Sequence, residues 1–516
     1  MLVKTFGSSI LGIDAIVITI EVSITKGVNF FLVGLPDNAV KESQQRIATA
    51  LHNNRFKMPG RRIVINMAPA DIRKEGSSYD LPIAIGILAA SGQIPADKVG
   101  SYLIMGELSL DGGLRPVKGA LPVAIKAQKK GFRGFILPVH NAREAAIVKG
   151  LEVYGAESLI QVAGFFNGRA DLQRVRVDGR KEFQKHGKSN EIDFADVRGQ
   201  ENVKRALEIA ASGGHNILMI GSPGSGKTML ARRLPSILPP FTLRESLETT
   251  KIHSVAGRIG SQHSLMTSRP FRSPHSTISS VAMVGGGSVP QPGEISLSHN
   301  GVLFLDELPE FQRSVLEVLR QPLEDREIDI SRSKYSVRYP AGFMLVASMN
   351  PCPCGYYSNP EKECVCPPGM VQKYINRISG PLMDRIDIHI EVIPVPFEKL
   401  SEKRNAESSA AVRERVASAR KVQERRFSKY SNVHSNAQMN TKMIHEYCPI
   451  DKTGQLLLKN AMHKLGLSAR AYDRILKLAR TISDLERTTE IESIHLAEAI
   501  QYRSLDRETW TVQSRA

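Results

Sequence analysis

The strongest constraint on the fold of this chain is a glycine-rich stretch that directly follows a short apolar run. Residues 217–220 are Ile-Leu-Met-Ile, and residues 221–228 read GSPGSGKT, which fits the pattern GxxxxGK[ST]. A strand, this pattern and a following helix together predict a phosphate-binding loop, and they disfavour a glycine-rich turn that only resembles one. The predicted nucleotide-binding residues are Gly221, Ser222, Pro223, Gly224, Ser225, Gly226, Lys227 and Thr228.

A second element of the same site is predicted about eighty residues later. Residues 301–307 read GVLFLDE, so an apolar strand ends in two adjacent carboxylates, Asp306 and Glu307. With an upstream phosphate-binding loop, this pattern indicates more than a solvated strand end. Lys227 would contact the β- and γ-phosphates, the Thr228 hydroxyl would ligate Mg²⁺, Asp306 would hold the ion through water, and Glu307 would activate the attacking water. The two elements predict Mg²⁺-dependent hydrolysis of a nucleoside triphosphate such as ATP.

Two further polar residues follow in the order that such a site requires. Residues 343–350, FMLVASMN, predict a buried strand lying between the other two, with Asn350 at its end as the candidate γ-phosphate sensor. Residues 382–387, LMDRID, contain Arg385. Taken alone, Arg385 would be a surface salt-bridge residue. Its place after Asn350 favours an arginine finger that reaches a phosphate across a subunit interface.

Several long phrases resemble one family over nearly the whole chain. They are PGEISL at 292–297, NGVLFLDELPEF at 300–311, NPCPCG at 350–355 and DRID at 384–387. These phrases are similar to those of the ComM/YifB family of magnesium-chelatase-like AAA+ ATPases. The resemblance implies a ring-forming bacterial ATPase, expected as a homo-oligomer and interpreted as a hexamer. The ComM members are associated with branch migration of DNA during natural transformation.

The resemblance also assigns two residues outside the motifs above. It places the start of the ATPase domain, which contains Gln200, against the adenine ring. It maps the family's second sensor arginine onto Arg470, near the start of a predicted helix. An arginine at a helix start is disfavoured by the helix dipole, and this favours an anionic partner for Arg470.

The fold class predicted is a multidomain α/β protein. Residues 1–165 alternate strand and helix patterns as an α+β domain, and the polar, basic residues 166–191 predict a flexible linker. Residues 192–395 form the predicted P-loop AAA+ α/β core with a cysteine-containing insertion. Residues 396–516 comprise a helical segment and an all-α lid.

The N-terminal domain is similar to the proteolytic domain of Lon proteases. Ser78 falls where that family keeps its nucleophile, but the position of the required lysine is Leu121, and Lys118 is out of register. Because a serine nucleophile needs a base, we predict a Lon-like fold without the serine–lysine dyad. An ATP-dependent protease is therefore the least favoured function.

Four of the five cysteines lie within fifteen residues, which argues against a secreted disulfide scaffold. They form two Cys-x-Cys pairs, and four thiolates are the natural ligands of a tetrahedral Zn²⁺. The spacing is tighter than the usual Cys-x-x-Cys, so four reduced thiols without metal remain an alternative. The candidate zinc ligands are Cys352, Cys354, Cys364 and Cys366.

The charge of the chain suggests a polyanionic partner. Lys and Arg number 69 against 52 Asp and Glu, a net charge of +17. Residues 326–339 predict a hairpin, which in the family points into the ring channel, so Arg332 and Lys334 are candidate contacts to the phosphate backbone of DNA. A basic helix over residues 403–429, with nine Lys and Arg against three Asp and Glu, is a second candidate contact. Solvated basic surfaces would look the same.

Single-stranded or branched DNA is thus the predicted partner, and a chelatase-type remodeller of a protein or metal-insertion complex is the competing class. No run of 18 apolar residues predicts a transmembrane helix, and the N-terminus lacks the form of a signal peptide. We therefore expect a cytoplasmic protein without a membrane partner.

Overall fold

The computed structural model describes residues 1–185, 192–260, 263–287, 290–331, 336–357, 362–395, 407–430 and 432–505. The N-terminal region is built on an eight-stranded mixed sheet. In spatial order its strands are Arg174–Val175, Glu152–Ala156, Gly134–Pro138, Tyr102–Ile104, Leu2–Leu11, Asp14–Thr25, Arg62–Ala68 and Phe30–Val33. Its helices are Asn38–Asn53, Asp80–Ala90, Ala120–Lys129, Val139–Ala145 and Leu159–Phe166.

Local pattern explains the centre of this sheet. Leu2–Leu11 and Asp14–Thr25 pair antiparallel across a tight turn at Gly12, where φ is +66°. The helix Asp80–Ala90 is buried at every residue, as expected for a helix that is apolar all round. A short hairpin, Glu107–Leu108 with Leu114–Arg115, follows beside it.

The predicted linker is structured in the part that the structure describes. Arg174–Val175 pairs with Val153 and Tyr154 at the edge of the N-terminal sheet, and Leu172 is buried in its core. A helix over Gly179–Lys185 follows. Residues 166–185 therefore extend the N-terminal domain instead of forming a flexible linker, because one buried leucine and a short strand pairing suffice to anchor a polar segment. Residues 186–191 lie outside the described residues.

The central region carries a five-stranded, all-parallel sheet. Its strands, in spatial order, are Phe271–Arg272, Val302–Leu305, Met344–Met349, Ile217–Ile220 and Ile388–Glu391. The predicted middle strand, Met344–Met349, lies between the strand of the phosphate-binding loop and the strand of the two carboxylates. These three strands are buried along their whole length, which is typical of a parallel sheet covered on both faces.

Helices and two hairpins surround this sheet. The helices are Glu201–Gly213, Lys227–Ile237, Leu243–Val255, Ser280–Val284, Glu294–Leu297, Arg313–Glu317, Arg320–Asp325, Pro368–Ile375 and Gly380–Met383. The hairpins pair Gly285–Gly286 with Gln291–Pro292, and Glu327–Ser331 with Ser336–Pro340. The second hairpin is the one predicted from the alternating pattern of residues 326–339, and its tip lies outside the described residues.

The C-terminal region is helical, as predicted. Its helices are Ser409–Arg426, Thr441–Tyr447, Lys452–Leu465, Ala469–Leu485 and Ser493–Gln501. Val412, Val416 and Ile475 share one hydrophobic core with Ile217 and Val302 of the central sheet. Among the described residues, no helix is both long enough and apolar enough to cross a membrane.

The basic helix holds the C-terminal region to the central one. Arg415 donates to Glu208 at 2.5 Å and Arg420 donates to the carbonyl of Ala211 at 3.1 Å, both on the central helix Glu201–Gly213. Arg426 donates to Asp484, within the C-terminal region, at 2.7 Å. These three arginines of the described helix are therefore engaged within the chain. This is a structural role that the charge count alone did not reveal.

The N-terminal domain packs directly on the central one. The amide of Gly119 donates to the carbonyl of Ser254 at 3.0 Å, and Lys251 pairs with Asp14 at 3.3 Å. The turn at Gly12 abuts Val337 of the second hairpin, because a Cβ on Gly12 would come within 2.4 Å of it.

Candidate nucleotide site

The phosphate-binding loop connects the strand Ile217–Ile220 to the helix Lys227–Ile237. Gly224 and Gly226 have φ of +78° and +93°, a conformation that L side chains rarely adopt, so the glycines of the motif are required by the turn. The Nζ of Lys227 donates to the carbonyls of Gly221 at 2.8 Å and Ser222 at 2.9 Å. The loop therefore wraps around its own lysine, with the N-terminal end of a three-turn helix beside it.

Burial sets the electrostatics of Lys227. Its side chain is 8% exposed, and burial lowers its pKa, while the carboxylates of Asp306 and Glu307 oppose the shift. Burial deprives the ammonium of water, so a phosphate that pairs with it would stabilise the charged form.

Thr228 and Asp306 form the candidate Mg²⁺ site. The hydroxyl of Thr228 donates to Asp306 Oδ2 at 2.7 Å, and the hydroxyl of Ser348 donates to Oδ1 of the same carboxylate. Hydroxyl and carboxylate oxygens are the hard donors that Mg²⁺ prefers, and the hydrogen bond holds the Thr228 hydroxyl beside the carboxylate, as a direct ligand next to a water-mediated one requires. Bound there, the ion would neutralise charge on the β- and γ-phosphate oxygens.

Glu307 is held in an unusual backbone conformation at the end of its strand. Its φ is +54°, and its amide donates to Asp306 Oδ1 at 3.2 Å and to Ser348 Oγ at 3.4 Å. A non-glycine residue with positive φ at a functional site is commonly under local strain. The turn leaves the side chain exposed at the carboxyl edge of the sheet, where a water-activating carboxylate is needed.

Asn350 lies where the middle strand ends, beside the phosphate-binding loop. Its Oδ1 accepts a hydrogen bond from Lys227 Nζ at 3.3 Å. Parallel neighbouring strands end at one edge, so the structure brings together Lys227, Thr228, Asp306 and Asn350 from three strands.

Gln200 lies next to the same loop. It precedes the helix Glu201–Gly213 with φ of +61°, and its side-chain amide donates to the carbonyls of Ser225 at 3.5 Å and Ile393. This bridge joins the loop to the segment after the strand Ile388–Glu391. The predicted adenine contact at this edge remains a prediction.

Arg385 and Arg470 lie elsewhere. Arg385 precedes the start of the strand Ile388–Glu391, and its carbonyl accepts from Asn216, which precedes the start of Ile217–Ile220. Arg470 pairs with Asp384 at 3.6 Å. Both arginines therefore belong to the amino edge of the parallel sheet, opposite the phosphate-binding loop of their own chain.

Arg385 is also enclosed within its own chain. It is 7% exposed, with Nη1 donating to the carbonyl of Pro381 at 2.6 Å and Nη2 paired with Glu324. Its Nε has no hydrogen-bond partner among the described residues. This donor is itself buried, so it is unsatisfied within the isolated chain.

A buried network next to Arg385 joins the sheet to the C-terminal helices. Asp387 accepts from His215 Nδ1 and from the amide of Asn216, both at 3.2 Å, and from Arg474. His215 Nε2 lies 2.8 Å from the Thr481 hydroxyl. Burial alone would raise the pKa of Asp387, but Arg474 and His215 hold it well below its usual range.

We expect Asp387→Asn to lower the free energy of unfolding by about 3 kcal/mol or more, because removing one partner leaves the buried charge of Arg474 uncompensated. Urea unfolding at pH 7 measures this loss. Asp384→Asn is the matched control, since the more exposed pair of Asp384 with Arg470 should contribute less than about 1 kcal/mol. Equal losses in the two variants would contradict the assigned role of the network.

The four candidate zinc ligands lie close together in the structure. The Sγ atoms of Cys352, Cys354, Cys364 and Cys366 lie within 4.8 Å of one another, so the two Cys-x-Cys pairs converge on one point. Arg332 and Lys334 lie outside the described residues.

The candidate protease residues share one cleft. Ser78 and Lys118 both line a cleft of about 380 Å³ that also borders Val255 of the central domain. Leu121 is completely buried, and its amide donates to Glu144 Oε1 at 3.0 Å. The position predicted for the catalytic lysine is thus part of the core.

Comparison with known proteins matches three segments to related families. Residues 193–400 match "Magnesium chelatase, subunit ChlI", residues 20–141 match "Subunit ChlI of Mg-chelatase", and residues 406–503 match "Magnesium chelatase, subunit ChlI C-terminal". The chain is 46% identical over 499 residues to "Competence protein ComM" of Haemophilus influenzae, covering 96% of each chain. It is 44% identical over 501 residues to "Uncharacterized protein YifB" of Escherichia coli, again covering 96% of each.

The chain belongs to the ComM/YifB family of magnesium-chelatase-like proteins. A more distant relative is the "Magnesium-chelatase 38 kDa subunit" of Rhodobacter capsulatus, 27% identical over 177 residues, which are 31% of this chain and 50% of that one. The magnesium-chelatase family is an AAA+ ATPase family that uses ATP and Mg²⁺, and the donor set of Thr228 and Asp306 fits both.

Two residues of this ComM/YifB site were not predicted. Ser348 orients Asp306 and also accepts from the amide of Glu307, and Glu324 pairs with Arg385. Ser348 had a detectable signal, since a lone hydroxyl in the apolar strand Met344–Met349 requires a polar partner. Glu324 had no such signal in the sequence, because its pairing with Arg385 depends on how a helix packs against the sheet.

Proposed function

We propose that this chain is an ATP-driven ring motor, assembled as a homo-hexamer in the bacterial cytoplasm, that acts on single-stranded or branched DNA. The observation that carries the ring is the position of Arg385 and Arg470 at the edge of the sheet opposite the chain's own phosphate-binding loop. An arginine there can act only on a nucleotide held by a neighbouring copy. A complete site would therefore need two subunits.

In such a site each residue has a distinct task. Lys227 and the loop amides bind the phosphates, Thr228 and Asp306 hold Mg²⁺, and Glu307 takes a proton from the attacking water. Asn350 positions the γ-phosphate or the water. Arg385 of a neighbouring copy stabilises the charge that develops on the transferred group.

Three observations support DNA as the substrate. The net charge is +17, a hairpin pairs Glu327–Ser331 with Ser336–Pro340 just before the middle strand in the sequence, and the relative that is 46% identical is named a competence protein. Branch migration of DNA during recombination or natural transformation is the process proposed. The described part of the basic helix adds little support, because three of its arginines are engaged within the chain.

A chelatase-type ATPase that remodels a protein or metal-insertion complex is the second candidate. The similarity to the "Magnesium-chelatase 38 kDa subunit" favours it. This alternative predicts weak DNA binding and no effect of DNA on ATP hydrolysis.

The four cysteines are proposed to hold one structural Zn²⁺. Three of their sulfur separations are 3.3, 3.6 and 3.7 Å. With Zn–S bonds of about 2.3 Å, a tetrahedral site requires sulfur atoms about 3.8 Å apart, and an all-thiolate set favours Zn²⁺ over harder ions.

DNA should stimulate ATP hydrolysis, branched or single-stranded DNA most strongly, and binding should weaken steeply as salt rises. Arg332→Ala and Lys334→Ala should each flatten the log–log salt dependence by about one unit while basal hydrolysis survives. The measurements are ATPase rates with no DNA, single-stranded, duplex and branched DNA, and binding titrations at several salt concentrations.

Arg338→Ala is the matched control for these variants. Arg338 lies in the same hairpin, but it is paired with Asp329 at 2.9 Å and Glu327 at 3.0 Å, so its removal should leave the salt dependence unchanged. If no form of DNA stimulates ATP hydrolysis by the assembled protein at low salt, the DNA-motor hypothesis is wrong and the chelatase-type function is favoured.

A further inference from the structure

The four-cysteine cluster is connected to the nucleotide site at three points. The first is the chain itself, since Cys352 follows the candidate sensor Asn350 by two residues and is completely buried. A buried cysteine of the cluster therefore lies two residues from the residue whose Oδ1 accepts from Lys227.

The second point is a direct contact with the phosphate-binding loop. Gly355 follows Cys354 and closes a turn by donating its amide to the carbonyl of Cys352 at 3.0 Å. A Cβ on Gly355 would come within 2.4 Å of Pro223 Cδ. The turn between the first two cysteines and the loop that holds phosphate are thus in close contact.

The third point is the helix that follows the second cysteine pair. Cys366 leads into Pro368–Ile375, and the hydroxyl of Tyr374 on that helix forms a hydrogen bond with the backbone of Asn350. Tyr374 is 6% exposed. The chain therefore leaves Asn350, passes through all four cysteines and returns to Asn350.

Backbone amides also contact the cluster. Those of Tyr356 and Cys366 form hydrogen bonds with the sulfurs of Cys354 and Cys364, and such donors favour the thiolate. At Cys364 burial works against this and raises the pKa of the thiol. Cys354, Cys364 and Cys366 also pack on the same hydrophobic core as Leu308, which follows Glu307.

We propose that a zinc ion held by Cys352, Cys354, Cys364 and Cys366 positions Asn350 and the phosphate-binding loop, so that ATP turnover depends on the metal. Zinc closes the two ends of the segment at one point, and this fixes both the strand end that carries Asn350 and the helix that carries Tyr374. The proposal rests on the ATP site and the zinc assignment proposed above, and it is independent of DNA.

The test uses the full-length protein without DNA. Zinc is removed with a mercurial thiol reagent and a chelator, the thiols are regenerated, and zinc is then restored. We expect one equivalent of zinc per chain in the untreated protein. Because a displacement of about 1 Å of a site group can cost about 10²-fold, we expect zinc removal to lower kcat about 10- to 100-fold and re-addition to restore it.

A double-mutant comparison separates positioning from general stability. If zinc acts through Asn350, removing zinc from the Asn350→Ala variant should lower its kcat by less than about twofold. The effects of two sites that act through each other are not additive. Gly355→Ala should weaken ATP binding, because Gly355 has φ of +84° and the new Cβ would meet Pro223. Cys448→Ala, at a buried cysteine in the C-terminal region, should change neither zinc content nor kcat.

Three results would overturn the proposal. If the purified protein contains no zinc, or contains iron instead, the metal on which the proposal depends is absent. An unchanged kcat in zinc-free, folded protein shows that the cluster does not position the site. A full additional loss in Asn350→Ala protein shows that zinc acts by another route. ATP hydrolysis that DNA does not stimulate would contradict the proposed DNA motor but not the role proposed for zinc.

Discussion

Glu307→Gln should bind ATP as tightly as the wild type and hydrolyse it about 10²- to 10⁴-fold more slowly, because the amide retains the shape of the side chain but cannot accept a proton. Lys227→Ala should lose nucleotide binding, since its ammonium lies at the centre of the phosphate-binding loop. Fluorescent-nucleotide titration and steady-state ATP hydrolysis measure the two effects separately.

Glu310→Gln provides the matched control for Glu307→Gln. Glu310 is an exposed carboxylate three residues later and pairs with Arg377 at 3.1 Å, so its loss should leave kcat near the wild-type value. Nucleotide affinity in Lys227→Ala equal to that of the wild type would refute the site assignment. A Glu307→Gln variant that turns over normally would refute the assigned base.

Arg385→Ala should lower ATP turnover about 10³-fold or more, as expected for the loss of an arginine finger. Because Arg385 lies opposite its own nucleotide site, the defect should be complemented by a different inactive subunit. Arg385→Ala protein supplies intact phosphate-binding loops, and Lys227→Ala protein supplies intact arginines. Mixed assemblies should therefore regain part of the hydrolysis that neither parent shows.

Glu324→Gln distinguishes a finger from a structural ion pair. Glu324 holds Arg385 within the chain and is half exposed. If Arg385 only stabilises its own subunit, losing Glu324 should cost as much activity as losing Arg385. If Arg385 acts on a neighbour, Glu324→Gln should retain turnover. Mixtures that stay inactive despite demonstrated co-assembly would contradict the finger.

The sequence by itself determined the part of the nucleotide site built from short motifs at strand ends. The segments 217–228, 301–307 and 343–350 each contain an apolar strand followed by polar residues. In a parallel sheet such strands end at one edge, so their pattern was enough to predict that Lys227, Asp306 and Asn350 lie together. Even the middle position of Met344–Met349 followed from this reasoning.

The tertiary structure alone decided which charges are used inside the chain. Arg415, Arg420 and Arg426 contribute to the net positive charge of the chain. In the structure, however, each donates to an acceptor on a helix that is far away in sequence. The same holds for residues 166–185, whose polar composition resembles a linker until Arg174–Val175 pairs with the sheet. Ion pairs and edge strands depend on long-range packing, which no local pattern encodes.

The convergence of the cysteines and the placement of the two arginines also came only from the tertiary structure. The spacing of two Cys-x-Cys pairs left one shared metal in question, and only the folded structure shows that all four sulfurs lie within 4.8 Å of one another. The order of Asn350 and Arg385 predicted a finger but not the edge on which it lies. That edge follows from strand direction, because Arg385 precedes its strand whereas Lys227 follows one, and residues before and after parallel strands lie at opposite ends of the sheet.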